Sequence, residues 1–289
     1  SPTARWLADA DIRNEYTVEP DRLSLLFHAY LYRREEQQSE SGIEAFRIRG
    51  GSDRLPRAIA AELGSGVVHT RAPVTAIDRP AGGGVRVTIG GDRVRARWCV
   101  LAAPLPAVRA IAFTPALPAG LAAAVQGVQY GVGAKELIQY ERRFWREAGR
   151  SGELLTDGSV GASWEATDRQ PGRRGILIGY TAGDRGAAYT RLTERGRLDA
   201  ATRSLDEAAP GSAALARAGA SVAWAAEPYN GGTYTAWKPG DMTRYWDVLR
   251  RPAGPIVLAG EHTSTYASYM EGGARSGRTA ARYIRRADA

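Results

Sequence analysis

The sequence predicts a mixed α+β or α/β protein built on an interleaved sheet. Three observations carry this reading. Short apolar or β-branched runs at residues 74–77, 85–89, 176–180 and 255–259 have strand length. Between them lie stretches whose apolar residues recur at helical spacing. Glycine pairs at 50–51, 90–91 and 231–232 break the runs where turns are needed. Strands and helices thus alternate along the chain instead of falling into separate blocks.

Taken in order, Thr3 can cap a helix carrying Trp6, Leu7 and Ala10. Pro20 and Asp21 open a second, with Leu23, Leu26, Phe27, Tyr30 and Leu31 at helical spacing. Residues 33–42 read as a polar loop. Residues 46–49 alternate like a strand and stop at Gly50 and Gly51, after which Ser52 or Asp53 can cap a helix running through Leu63. Residues 67–69 and 74–77 read as short strands, and 85–89 with 94–101 as a hairpin across Gly90 and Gly91. Residues 104–118 are proline-interrupted and irregular. Strands follow at 132–141, which holds Lys135, at 154–155 and at 176–180, then helices around 190–206 and 211–217 and a strand at 221–225. The last stretch, 255–286, reads as strand, polar and aromatic loop, then an amphipathic helix with Gly272 and Gly273 at its start. A helix start offers unpaired N–H groups and a positive dipole end, and glycines there let a flat ligand approach the backbone.

A chain of 289 residues supports one or two domains with a sizeable core. The net charge of +8 comes from scattered arginines, adjacent at 33–34, 142–143, 173–174, 250–251 and 285–286. No basic stripe with interleaved aromatics appears, so a nucleic-acid partner is not expected. No apolar run approaches a membrane span. Cys99 is alone, so no internal disulfide can form and the compartment stays open. His28, His69 and His262 have no metal-ligand spacing, and no serine sits in a nucleophile elbow. Lys135 and Lys238 are the only lysines against 37 arginines, which draws attention to each.

The closing segment GEHTSTYASYMEGGARSGRTAA resembles the C-terminal flavin-binding segment of the flavin-dependent amine oxidases, the family of monoamine, polyamine and L-amino-acid oxidases. Gly-Glu-x-Thr and Tyr-Met-Glu-Gly both occur at that family's spacing. FRIRGGSDRLPRAIAAEL, APVTAID, CVLAAPLPAV, VGAKELIQYERRFW and EPYNGGTYTAWKPG are similar to further family segments, in the family's order, over residues 44–286. The resemblance implies an FAD-binding amine-oxidase fold: a partial Rossmann-like FAD domain plus a substrate domain with a mixed sheet and helices. Residues 1–45 would be a helical part of the substrate domain, 46–104 an FAD-domain segment, 105–225 the substrate-binding domain and 226–289 the C-terminal FAD segment. The family's opening strand–GxGxxG–helix, which holds the FAD pyrophosphate, has no counterpart here. The expectation is that a second polypeptide supplies it, as a subunit or as a fragment of the same precursor, and the start at Ser1 favours the fragment.

By the same resemblance, Lys135 matches the lysine that holds a water against the flavin, while Tyr234 and Tyr269 match the aromatic pair between which the amine passes. Trp164 falls at a substrate-pocket aromatic. Val74 matches the position touching the adenosine part and Glu261 one near the ribityl–pyrophosphate, while Gly50 and Gly51 match further cofactor contacts in the Gly-Gly segment entering the flavin domain. Ser268, Tyr269, Met270 and Glu271 lie where backbone N–H groups meet the isoalloxazine, with Ser268 also lining the substrate pocket. Thr233 stands where monoamine oxidases carry the flavin-linked cysteine, so FAD is expected to be held non-covalently. The implied reaction is oxidation of a C–N bond in an L-amino acid or primary amine, yielding hydrogen peroxide. The alternatives are a flavin-dependent C–C desaturase or dehydrogenase, and a truncated subunit that binds without catalysis.

Overall fold

The computed structural model describes residues 1–36 and 46–289. In chain order the helices are α1 Pro2–Tyr16, α2 Leu25–Glu36, α3 Arg54–Glu62, α4 Leu105–Val108, α5 Ala119–Gly127, α6 Phe144–Glu147, α7 Gly183–Thr190, α8 Glu194–Ala208, α9 Asp241–Tyr245 and α10 Met270–Ala287. The strands are β1 Val74–Asp78, β2 Val85–Ile89, β3 Asp92–Ala96, β4 Cys99–Leu101, β5 Ala112–Thr114, β6 Gly133–Tyr140, β7 Leu154–Leu155, β8 Ala162–Glu165, β9 Gly175–Ala182, β10 Ala216–Ala223 and β11 Ile256–Leu258. The mixed α/β class is as predicted.

Two compact units result. Ser1–Ser24, Ala103–Val108 and Ala124–Trp246 form the first; Leu25–Ala102, Arg109–Ala123 and Asp247–Ala289 form the second. These cuts fall elsewhere than the boundaries read from the sequence. Residues 226–246 stay with the first unit because Thr235 bridges Tyr130, and the Ala236 N–H donates to the Gln129 carbonyl at 3.0 Å.

The first unit is built on an antiparallel sheet in the order β10-β6-β9-β8-β7. β6 is flanked on both sides, and its side chains alternate between the two faces of the sheet. Ala134, Ile138 and Tyr140 enter a core with Leu177 of β9 and Ala201 and Leu205 of α8. α8 starts at Thr193, whose hydroxyl accepts the Gly196 N–H at 3.1 Å.

Several local expectations change. The cap of α1 is Ser1, not Thr3, because the Ser1 hydroxyl accepts the Ala4 N–H at 3.2 Å, with Pro2 in the first turn, where no N–H is needed. Pro20–Arg22 forms only a 3₁₀ turn, and the Ser24 N–H donates to Trp237 O at 2.8 Å, so α2 starts later. α2 then runs through the start of the expected polar loop; residues 37–42 of that loop lie outside the described residues. The helix expected at 211–217 is instead a short turn entering β10, because pairing with β6 claims that backbone and overrides the helix preference of its alanines. β8 and α7 appear where no element was expected.

The second unit holds a four-stranded sheet, β3-β2-β1-β5, and a separate parallel pair, β11-β4. The second hairpin arm divides: β3 pairs β2 as expected, and β4 leaves to join β11. β5 forms within the stretch read as irregular, parallel to β1. Residues 46–49 and 67–69 are not strands; they lie exposed, with no ladder to join. α3 is amphipathic, yet Leu55, Ile59 and Leu63 all face solvent. Val257, Ala259 and Ala280 pack with Trp98 and Ile284, which seats α10 on the parallel pair. No helix among the described residues is long and apolar enough to cross a membrane.

Glu136 of β6 is fully buried, with Ser221 Oγ at 3.3 Å from its Oε1. Burial pushes its pKa up to about 8, against smaller downward pulls from Ser221 and Arg197. A raised native pKa means the stability is fully present below the ordinary carboxyl pKa and is lost as pH rises towards 8. Urea denaturation should therefore show a loss of roughly 2–4 kcal/mol between pH 5 and pH 8. Glu136→Gln should remove that slope.

Candidate active site

Lys135 lies on β6, on the face opposite Glu136, directly across from Tyr180 of β9 and Val222 of β10. Its ammonium sits over three rings: Nζ is 5.2 Å from the Trp164 ring centre, 5.3 Å from Tyr180 and 5.9 Å from Trp224. Electron-rich ring faces stabilise a cation that is half out of water. Trp164 and Tyr180 meet edge to face with centres 5.5 Å apart, which fixes the cage. Trp164 was expected near this position. Tyr180 and Trp224 were not: Tyr180 reaches Lys135 through the register of β9 with β6, and Trp224 from the turn that follows β10.

Tyr234 follows the Gly231–Gly232 turn, and its hydroxyl donates to the Glu15 carbonyl at 2.5 Å. Burial, then the nearby Tyr234 and Glu15, raise the Tyr180 hydroxyl well above its ordinary pKa. Lys135, Trp164 and Tyr234 are therefore gathered around one shared neighbour, Tyr180. Behind them Gly131 is wedged tightly: a Cβ there would lie 1.7 Å from Thr17 Oγ1. Thr17 Oγ1 in turn shares a hydrogen bond of 2.6 Å with Thr233 Oγ1. Thr233 has thus a structural bond of its own.

In the second unit, the loop from Gly260 to Tyr269 folds back on the start of α10. Glu261 Oε2 accepts the Ser268 N–H at 2.8 Å, holding Ser268 in the left-handed region at φ 69. The Gly260 N–H donates to Ser276 Oγ at 2.8 Å, and Ser276 Oγ donates to the Gly273 carbonyl at 2.6 Å. Gly260 itself has φ 138, and a Cβ there would strike the His262 ring. His262 is buried, which pushes its pKa down to about 4, so the ring is neutral at physiological pH.

Tyr269 is the N-cap position of α10, Met270 is exposed and the Glu271 carboxylate pairs with Arg275 on the outer face. Gly272 is packed under Tyr266, whereas Gly273 faces open space. The α10 start is thus a cradle with first-turn N–H donors and no side chain at Gly273. Val74 opens β1 opposite Ile89, half-buried, and Gly50 and Gly51 are exposed with φ 89 and 105. Among the described residues no cluster of His, Cys, Asp and Glu could hold a metal ion.

The model of the flavin-containing amine oxidoreductase family matches residues 13–285. The chain is 30% identical to an L-amino acid dehydrogenase of Synechocystis sp., over 92% of this chain and 56% of that protein. It is 30% identical to flavin-containing amine oxidase B of Bos taurus, over 85% of this chain and 48% of that protein. Cyclohexylamine oxidase from Brevibacterium oxydans superposes with TM-score 0.85 at 28% identity, covering 98% of this chain and 64% of that one. A putrescine oxidase variant also gives 0.85, at 25% identity, covering 95% and 62%. The chain belongs to the flavin-containing amine oxidoreductase family. It spans about half the length of the curated relatives it matches.

The two glycines of the α10 cradle separate structure from access. A Cβ on Gly272 would sit 1.8 Å from the Tyr266 carbonyl oxygen, so Gly272→Ala should cost about 3 kcal/mol or more in thermal or urea unfolding. Gly273→Ala meets nothing and should hold or raise stability, by up to about 1 kcal/mol.

Proposed function

We propose that this chain supplies the substrate-facing and flavin-facing residues of an FAD-dependent enzyme that oxidises the C–N bond of an L-amino acid or primary amine. The observation that carries the reading is the aromatic cage around Lys135, in a chain of a flavin-containing family. The α10 cradle fits a flat, electron-rich cofactor edge: Gly273 leaves the approach clear and the helix start offers N–H donors. When bound, FAD takes a hydride equivalent from the carbon beside the nitrogen; with oxygen and water the products are keto acid or aldehyde, ammonia and hydrogen peroxide.

In this reading Ser268, Tyr269, Met270 and Glu271 hold the isoalloxazine edge, Glu261 fixes the loop that presents them, Val74 faces the adenosine part, and Gly50 and Gly51 are further cofactor contacts. Tyr234, pinned through its hydroxyl to Glu15, offers a fixed ring face to the incoming neutral amine, with Tyr269 as its counterpart. Trp164 and Ser268 line the pocket. Lys135, with Nζ over the three rings, orients a water towards the reacting face. The pyrophosphate-holding half comes from sequence outside these 289 residues, on the same or a second polypeptide. Thr233 is no nucleophile, so the cofactor is non-covalent.

A second reading changes only the electron acceptor. The matched Synechocystis protein is an L-amino acid dehydrogenase, which favours an acceptor other than oxygen. Amine-dependent peroxide release by the purified holoprotein distinguishes the two. For an oxidase, Lys135→Met should slow reoxidation by oxygen about 100-fold while leaving amine-dependent bleaching of the flavin near normal. Unchanged reoxidation would remove Lys135 from the chemistry. Acid denaturation should release all the flavin from the protein.

A further inference from the structure

We infer that Tyr30 and Arg34 of α2 are positioning residues for the loop from Gly260 to Tyr269. This rests on the proposed reading that this loop and the start of α10 hold a flavin. The loop carries Ser268 in the left-handed region at φ 69, a conformation that a serine keeps only where its surroundings hold it. Glu261 supplies one hold, through the Ser268 N–H. The stretch from Ser264 to Tyr266 is held from outside the loop.

α2 supplies that second hold from one helix face. Phe27 and Leu31 are buried and seat the helix, while Tyr30 and Arg34 stand at i and i+4 beside the loop. The Tyr30 hydroxyl donates to the Thr265 carbonyl at 3.0 Å and accepts the Arg34 Nε–H at 3.3 Å. A guanidinium behind the hydroxyl polarises its O–H and strengthens the bond to the carbonyl. The Arg34 guanidinium also lies 5.4 Å from the centre of the Tyr266 ring. From α10, the Arg275 guanidinium sits 3.8 Å from the same ring centre, with Glu271 as its ion partner. The Tyr266 ring thus meets two cations, one from each helix. Its N–H donates to Ser264 Oγ at 3.0 Å, and the Ser264 carbonyl accepts an Arg250 N–H at 2.8 Å.

Tyr266 passes this hold to the cradle. Its carbonyl oxygen is the atom that closes on Gly272, 1.8 Å from where a Cβ would lie, so the place of Tyr266 and the seating of the first turn of α10 go together. Ser268 follows two residues on. With α2 gripping the loop, the N–H groups from Ser268 to Glu271 keep one direction. Without it, Ser268 relaxes towards ordinary backbone and those donors turn. The fold as a whole loses little, because Tyr30 and Arg34 are only half-buried.

The test uses Tyr30→Phe, which removes a single oxygen, and Arg34→Met, with Arg34→Lys as its conservative counterpart. In the chain made alone, the Ser268 N–H should exchange about tenfold faster in the first two variants. Their Tm should fall by no more than about 4 °C. In the native holoprotein both should bind flavin about tenfold more weakly. The flavin reduction potential should also fall, since N–H donors favour the reduced, negatively charged ring. Arg34→Lys returns a cation to the Tyr266 ring and should lie between Arg34→Met and the native protein. Flavin affinity and potential unchanged in both Tyr30→Phe and Arg34→Met, whatever happens to Tm or Ser268 exchange, would overturn the positioning role and leave the proposed function standing. A native species that holds no flavin would overturn the proposed function, and the role of Tyr30 and Arg34 with it.

Discussion

The alternation of β6 is the constraint on which the rest of the first unit depends. One strand carries Lys135 and Glu136 as neighbours, and the pleat sends them to opposite faces. On one side Glu136 is sealed into a core with α8 behind it; on the other Lys135 lies against Trp164, Tyr180 and Trp224. A slip of one residue would exchange these faces, placing a cation in the core and an acid under the rings. Register is therefore held from both sides, by β10 and by β9. Deep burial of an acid is a cost that the lysine face makes unavoidable, since the two residues are adjacent.

The two units fix their candidate-site residues by different means. The first uses side chains: rings around a cation, and a tyrosine pinned to the carbonyl of a helix C-terminus. The second uses backbone: a loop folded under an acid, a helix start, and glycines of which one packs and the other opens. Gly272 and Gly273 are adjacent and identical in sequence, yet the carbonyl of Tyr266 forbids a side chain on one and nothing opposes it on the other. Their roles follow from surroundings alone.

The strands that pair within a long ladder were legible in the sequence. β6, β9 and β2 fell close to their expected positions because each is an apolar run bounded by turns or charge. What escaped were elements decided by a partner: the start of β10 was taken for the end of a helix because alanine is helix-favouring until β6 claims the backbone, and the run at residues 46–49 has strand periodicity with no strand beside it. At the site, Lys135, Trp164 and Tyr234 stood out through their segments, but Tyr180 and Trp224 did not. A ring becomes part of a cage through the pairing of Lys135 with Tyr180, and pairing is a property of two segments read together. The Glu261–Ser268 bond was equally hidden, since its ends lie seven positions apart across a loop.

The scarcity of lysine gives the molecule an unusual chemical silhouette. Its side-chain amines number two, and they stand in opposite settings: Lys238 is exposed, while Lys135 lies half-buried beneath three rings. Guanidinium groups carry nearly all the positive surface and remain charged at any pH the protein meets. Acylating or carbamylating agents that would scar an ordinary basic protein at dozens of places thus find one ready target here and one shielded one. The surface charge is chemically inert, and the one side-chain amine among the candidate-site residues is the one the fold conceals.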